Sequence, residues 1–151
     1  MTLPIILDDE AATMALGKQL AGVLRPGDKI ALTGTLGAGK TTLARGILRG
    51  LGFGYDVPSP TFAIVQQYEP PEVRLPVAHV DFYRIEEPEE IQELGLDDIL
   101  MDGAMIAEWP DRMPTSFWND ALQITLEIEN DDTRRLTWTA GPAWKDRWPI
   151  T

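Results

Sequence analysis

Two hydrophobic periods alternate along the chain, and together they predict an α/β fold. Helical periodicity predicts one helix from about Asp9 to Leu24, capped by Asp8 or Asp9, and a second from Lys40 to Leu51. Short apolar runs bounded by turn residues predict strands at 2–7, 29–33, 62–68, 77–81, 104–108, 122–129 and 134–139, and a proline-led helix at 88–94. The last two strands flank the turn-forming segment 130–133 and are expected to pair as a hairpin. This order predicts a parallel core sheet with antiparallel edge strands.

Length and composition favour one compact domain over residues 1–151. The 151 residues are 44% hydrophobic and 25% charged, which is the balance of a globular protein. The chain has no cysteine, so disulfides and thiolate zinc sites are excluded. No apolar run approaches the roughly 18 to 20 residues that span a bilayer. We therefore expect a cytoplasmic location and no insertion into a membrane.

Charge is distributed unevenly along the chain. Residues 1–60 carry a net charge of +1, whereas residues 61–151 carry −12, giving the total of −11. The stretch from Asp81 to Asp111 holds eleven acidic residues and one basic residue, Arg84. Because Lys and Arg supply most of the affinity for nucleic-acid phosphates, this stretch is expected to meet a protein and not RNA. The alternative for residues 86–93 is a solvated helix face around Ile91.

The segment between the second strand and the second helix matches the Walker A pattern in full. It reads Gly34-Thr35-Leu36-Gly37-Ala38-Gly39-Lys40-Thr41. Its glycines let backbone N–H groups turn toward phosphate oxygens, and the following helix N-terminus favours negative charge. Lys40 is expected to reach the β- and γ-phosphates, and the Thr41 hydroxyl to bind Mg²⁺. The segment predicts a site for Mg²⁺ and a nucleotide, with ATP expected, in a P-loop NTPase-like three-layer domain.

Two later strands each end in a carboxylate. Strand 77–81 ends at Asp81 and strand 104–108 ends at Glu108. Ligands of open α/β sheets bind at the carboxyl ends of parallel strands, so both groups are expected beside the loop. Asp81 is expected to serve as the Walker B acid for Mg²⁺, and Glu108 to orient the attacking water or reach the metal. An ordinary strand-end carboxylate remains the alternative for each.

Three further residues allow two interpretations each. Trp109 either packs against the nucleotide or a mobile loop, or is a core tryptophan, which is the commoner case. Thr61 ends the stiff segment 58–61 and belongs either to a switch that senses Mg²⁺ and the γ-phosphate or to a plain proline-rich loop. His79 is expected to be a half-buried strand residue and not a catalyst.

Five segments in order closely resemble the motifs of the bacterial TsaE family, the ATPases of tRNA threonylcarbamoyladenosine biosynthesis. They are 37–42 (GAGKTT), 59–62 (SPTF), 79–84 (HVDFYR), 94–97 (LGLD) and 108–110 (EWP). The resemblance runs from about residue 8 to residue 112. It departs from the family at Thr35, where an Asp is usual, and at Ala107, where a bulkier aliphatic residue is usual.

The resemblance implies an ATPase that supports turnover of a TsaB-TsaD heterodimer, the complex that modifies tRNA. Contact with tRNA is then expected only indirectly, through that complex. Carried over by motif, Lys40, Thr41 and Thr42 hold phosphates and metal, and Asp81 is the Walker B acid. The same motifs imply Thr61 as the switch threonine, and Glu108 with Trp109 as a second functional strand end.

Two other functions remain open from the residues alone. A small-molecule or nucleoside kinase shares the P-loop but needs an acceptor pocket and usually an arginine-rich lid, and the arginines here are scattered in sequence. A nucleotide-sensing scaffold would bind ATP and turn it over negligibly. The sequence contains neither Asn/Thr-Lys-x-Asp nor Asp-x-x-Gly after its second motif, which disfavours a GTPase.

Overall fold

The computed structural model describes residues 4–35, 37–57, 65–84 and 95–149. Its strands are β1 (Ile5–Leu7), β2 (Lys29–Thr33), β3 (Val65–Tyr68), β4 (Val77–Asp81), β5 (Ala104–Glu108), β6 (Leu122–Ile128) and β7 (Arg134–Ala140). Its α-helices are α1 (Glu10–Val23), α2 (Lys40–Gly50) and α3 (Leu96–Asp102). Short 3-10 helices occupy Phe82–Arg84, Pro110–Arg112, Thr115–Trp118 and Pro142–Trp144.

Within these residues the seven strands form one mixed sheet in the order β1-β7-β6-β2-β5-β4-β3. The central neighbours β6, β2, β5 and β4 pair in parallel. The outer pairs β1–β7, β6–β7 and β3–β4 are antiparallel. The predicted parallel core with antiparallel edges is therefore confirmed.

Alternating residues of the central strands face two separate apolar layers. In β2, Ile30 and Leu32 join the core beneath α1 and α2, whereas Ala31 belongs to a second cluster around Leu96 and Trp118. This is the period-2 pattern expected for a strand buried on both faces. The sheet is thus the middle of three layers, as predicted.

The predicted helices and strands have nearly the expected bounds. Asp9 is the N-cap of α1, and its side chain accepts a hydrogen bond from the backbone N–H of Ala12 at 2.8 Å. The hairpin β6–β7 is confirmed, and β3 is the described part, Val65–Tyr68, of the strand predicted at 62–68. Residues 61–64 and the proline-led helix predicted at 88–94 lie outside the described residues.

One helix was not predicted. Helix α3 begins after Gly95, whose φ of 66° is left-handed, and it carries Asp97 and Asp98 in its first turn. Its seven residues are too few to show a helical period, and only Leu96 is fully buried. No helix in the described part of the chain is long and apolar enough to cross a membrane.

Candidate functional site

The loop between β2 and α2 brings backbone N–H groups to the start of a helix. Gly37 and Gly39 have left-handed φ values of 82° and 106°, a conformation that L side chains rarely adopt. Gly39 is the N-cap of α2 and offers no side chain to its first N–H groups, which leaves those donors available to an anion. A Cβ at Gly34 would lie 2.6 Å from the carbonyl oxygen of Leu126 in β6, so the chain passes too close for a side chain.

Lys40, the first residue of α2, meets Glu108 at the end of β5. Lys40 Nζ lies 3.8 Å from Glu108 Oε1, and the two side chains are 10% and 6% exposed. The pairing follows from topology, because β5 lies beside β2 in parallel and both strands end at the edge where α2 begins. A cation and a carboxylate that sequence logic assigned to one site are therefore in contact.

His79 lies beside the same carboxylate. Its ring is fully buried, and its Nε2 atom is 2.9 Å from Glu108 Oε2. The expectation of a half-buried strand residue was wrong, because β4 is covered on both faces and its middle residues are inaccessible. Sequence alone gave no signal for this contact, since it joins residues 29 positions apart.

Asp81 reaches the same edge of the sheet but has a different partner. It lies opposite Glu108 in the β4–β5 register and is 1% exposed. Its Oδ1 atom accepts a hydrogen bond from the backbone N–H of Tyr83 at 2.9 Å. Within the described residues no hydrogen bond or ion pair joins Asp81 to Lys40 or Thr41. Asp81 thus lies next to Glu108 but makes no direct contact of this kind with the loop residues Lys40 and Thr41.

Trp109 is an exposed aromatic residue beside the loop. Its side chain is 40% exposed, and its backbone has φ 58°, the only left-handed value at a described residue other than glycine. Lys40 Nζ lies 5.0 Å from the indole centroid, and the centroid of the Tyr83 ring lies 4.9 Å from it. The interpretation as a core tryptophan was wrong. The left-handed backbone, at the turn into Pro110, directs the ring out of the core.

Two cavities flank the loop. The larger has a volume of about 640 Å³ and is lined by Leu32, Thr33, Gly34, Thr35, Lys40, Trp109, Asp111, Thr125, Leu126, Glu127 and Ile128. The smaller, about 260 Å³, is lined by Glu10, Thr13, Gly37, Gly39, Thr42, Asp131, Asp132 and Arg134. The sequence-predicted residues Thr35, Gly37, Gly39, Lys40, Thr42 and Trp109 all line one of the two. Ala38 is buried, whereas Leu36 and Thr61 lie outside the described residues.

Arg134 is a loop contact that the sequence did not reveal. Its Nη2 atom donates to the carbonyl of Gly37 at 3.2 Å, across 97 positions of sequence. In the sequence, Arg134 is one of several arginines scattered along the chain. The pairing of β6 with β2 and of β7 with β6 and β1 brings this residue to the loop.

The oxygen-bearing side chains at this site suit a metal ion that binds together with a nucleotide. They suit a permanently bound metal ion less well. Among the described residues no group of three or more His, Cys, Asp or Glu could hold an ion. Mg²⁺ is commonly bound by one or two protein oxygens together with phosphate oxygens and water. Thr41 at the start of α2 and the carboxylates Asp81 and Glu108 fit that smaller requirement.

A parallel core sheet with a glycine-rich loop between β2 and α2 defines the class: an α/β domain of P-loop NTPase-like architecture. Within that class the chain belongs to the TsaE family, since the family model for the threonylcarbamoyl adenosine biosynthesis protein TsaE matches residues 7–136.

Individual relatives agree with this assignment. The tRNA threonylcarbamoyladenosine biosynthesis protein TsaE of Bacillus subtilis is 40% identical over 129 residues, which cover 85% of this chain and 79% of that protein. The protein of the same name from Streptomyces coelicolor is 38% identical, covering 85% and 91%. The crystal structure of Bacillus subtilis YdiB superimposes with a TM-score of 0.69 at 32% identity, covering 91% of this chain and 84% of that one.

Proposed function

We propose that the protein binds ATP with Mg²⁺ on the loop 34–41 and hydrolyses it in support of tRNA threonylcarbamoyladenosine modification. The observation that carries the proposal is the contact of Lys40 with Glu108 at the uncapped start of α2. A phosphate chain at that helix terminus would meet one fixed cation and one carboxylate, which are the groups that phosphoryl transfer to water requires. The names of the relatives supply the pathway.

Each residue has a distinct task in this proposal. Lys40 neutralises charge on the β- and γ-phosphates once it leaves Glu108, and Thr41 contributes its hydroxyl to Mg²⁺. Glu108, released from Lys40, orients the attacking water or completes the metal's outer coordination. Asp81 would help to hold Mg²⁺, directly or through water, while its Oδ1 atom accepts the backbone hydrogen bond of Tyr83. Bound Mg²⁺ supplies charge neutralisation along the phosphates.

The proposed partner is a TsaB-TsaD-like heterodimer, and tRNA is reached only through it. Charge supports this partner, because the chain has a net charge of −11 and the stretch from Asp81 to Asp111 alone has a net charge of −10. Such an excess of negative charge disfavours approach to the RNA backbone and suits a protein with basic patches. The residues 86–93 at the centre of this stretch lie outside the described part of the chain.

The test is nucleotide binding by calorimetry together with phosphate release, measured with Mg²⁺ and with or without a TsaB-TsaD-like complex. We expect Lys40→Ala to lose most of the ATP affinity, because it removes the cation that would meet the β- and γ-phosphates. We expect Glu108→Gln to bind normally and to release phosphate about 100-fold more slowly, the scale of one general base. Phosphate release by the wild-type protein should be slow alone and faster with the complex.

Lys18→Ala is the matched control for the loop variant, since it removes an exposed lysine from α1 beside Gly50, at the far end of α2. Unchanged ATP affinity in Lys40→Ala would refute the loop assignment. Normal ATP binding without phosphate release under any condition would instead support the nucleotide-sensing scaffold.

A second candidate, a small-molecule kinase, is favoured by one observation. The cavity of about 640 Å³ opens directly beside Lys40 and has Asp111 and Glu127 in its wall, as an acceptor site with a general base would. The discriminating measurement is the fate of the γ-phosphate. Transfer to an added nucleoside or metabolite in preference to water would favour the kinase.

A further inference from the structure

Glu108 has a different partner for each of its carboxylate oxygens. Oε2 lies 2.9 Å from His79 Nε2, which is hydrogen-bond distance. Oε1 faces Lys40 Nζ at 3.8 Å, which is an ion-pair separation without a short hydrogen bond. The histidine contact is therefore the tighter of the two, and it fixes which oxygen points toward the loop.

The strand register explains why His79 can hold this carboxylate. His79 pairs with Ile106 across the β4–β5 ladder, and Glu108 is two residues further along β5. Side chains two positions apart on a strand point to the same face, so His79 and Glu108 are diagonal neighbours. The imidazole is fully buried, so water does not compete for this contact.

The hydrogen-bonding partners also define the tautomer. An ionised carboxylate only accepts hydrogen bonds, so His79 donates from Nε2–H. His79 Nδ1 is buried and has no hydrogen-bond partner among the described residues. A proton on Nδ1 would be a buried donor without an acceptor, which is costly. Nε2, which has the carboxylate beside it, is therefore the ring nitrogen that donates.

We propose that His79 is a positioning residue that holds Glu108 in place for the metal-nucleotide. This inference rests on the proposed function. Without the Nε2–H donor, a buried carboxylate would turn both oxygens toward the nearest cation, Lys40, and form a closer ion pair. That pair would remove Lys40 from the phosphates and Glu108 from water and metal. His79 thus keeps the two groups near each other and still available.

Two substitutions at His79 separate the donor from the packing. Leu fills a similar volume without a donor, whereas Gln can place an amide N–H near the position of Nε2. We expect His79→Leu to reduce the rate of phosphate release about 10- to 100-fold, the usual effect of losing an outer-shell partner. We expect it also to weaken ATP binding with Mg²⁺ more than ATP binding without metal. His79→Gln should recover most of both properties.

Val77→Ala is the matched control for disturbance of the strand. Val77 is buried on β4 two positions before His79 and faces the same core, but it pairs with Ala104 at the far end of β5 from Glu108. This variant should be less stable, with phosphate release per folded molecule unchanged. Equal loss in His79→Leu and His79→Gln, with both folded, would overturn the proposal, because the donor would then be irrelevant.

A spectroscopic measurement tests the contact without any turnover. The chain contains one histidine, so its imidazole nitrogens give a single set of signals in NMR spectra. We expect Nε2 to carry a proton, and we expect the Nε2 signal to shift in Glu108→Ala. A ring without a proton on Nε2 would overturn the proposal, as would an Nε2 signal that is indifferent to the loss of Glu108.

These outcomes are distinct from failure of the proposed function. If Glu108→Gln slows phosphate release and His79→Leu does not, the ATPase assignment stands and the positioning role is wrong. If the wild-type protein neither binds nor hydrolyses ATP, the proposed function fails, while the tautomer measurement still decides whether His79 holds Glu108.

Discussion

The guanidinium of Arg134 connects the β6–β7 hairpin to the loop 34–41. Its Nη1 atom donates to the carbonyls of Asn130, Asp131 and Thr133, which hold the hairpin turn. Its Nη2 atom donates to the carbonyl of Gly37. Gly37 is in the left-handed conformation, so this contact helps to hold a loop residue whose backbone N–H is expected to face phosphate.

Replacing Arg134 with alanine should therefore weaken ATP binding without unfolding the protein. A net hydrogen-bond contribution of about 1 kcal/mol corresponds to a loss of roughly fivefold in affinity. Titration calorimetry with ATP and Mg²⁺ measures the effect. Arg135→Ala is the matched control, because it removes the same charge from the next residue, whose Nε atom lies 3.9 Å from Glu129 Oε1 at the exposed surface. Equal losses in both variants would mean that net charge, and not the Gly37 contact, sets the affinity.

At the residue scale, the sequence could predict which functional side chains lie at the strand ends. It could not predict which residues of the adjacent strands contact them. Lys40 and Glu108 were expected to converge because parallel strands end at one edge of the sheet, and they do. The partner of His79 depends on the β4–β5 register, which no local pattern encodes. The exposure of Trp109 depends on its own left-handed backbone conformation, which no sequence pattern predicts. Local chemistry was therefore predictable, and contacts across the sheet were not.

At the scale of elements, helices α1 and α2 approach closely because their contact is made of glycines. A Cβ on Gly17 would lie 2.6 Å from the carbonyl oxygen of Leu43 and 2.8 Å from the Cα of Gly46. A Cβ on Gly46 would overlap the carbonyl oxygen of Met14. Since α2 begins at the loop, this crossing also fixes where the helix N-terminus points.

The crossing predicts opposite effects for two glycine-to-alanine changes in helices. Gly46→Ala should lower the free energy of unfolding by about 1 to 3 kcal/mol, because the new methyl group meets backbone that cannot move aside. Gly22→Ala should raise it by about 0.5 to 1 kcal/mol, since nothing lies within 4 Å of a Cβ there and alanine favours helix. Urea unfolding of both variants measures the difference. A stabilised Gly46→Ala protein would show that the helices are not in close contact.

Element prediction succeeded where the hydrophobic period was long and failed where it was short. Helices α1 and α2, with 14 and 11 residues, were predicted with bounds within one residue. The seven-residue α3 was missed, because two turns with one fully buried residue resemble a loop in sequence. The strands were found because turn residues bound each of them.

At the scale of the whole molecule, the segment after β7 packs back onto the turn between α1 and β2. Sequence indicated little about residues 113–151 beyond two strands, yet Trp144 and Trp148 are buried in the main core. Arg147 is buried with them and forms two hydrogen bonds to Asp28, at 2.6 and 2.9 Å. It also donates to the carbonyl of Val23, the last residue of α1. The contact ties the end of the chain to the residue that precedes β2, the strand that leads into the loop.

The Arg147–Asp28 pair should be necessary for stability and dispensable for binding. Arg147→Leu leaves a buried carboxylate without its cation, which should lower the free energy of unfolding by about 3 to 5 kcal/mol. Adding Asp28→Asn should recover part of that loss, because the unpaired charge is then removed.

Lys145→Ala is the matched control, because it removes an exposed cation two positions away. Urea unfolding gives the stabilities, and calorimetry on the folded variants should show unchanged ATP affinity, since the pair lies at the end of β2 opposite the loop. A loss in Arg147→Leu no larger than that in Lys145→Ala would mean that the buried tryptophans alone hold the segment in place.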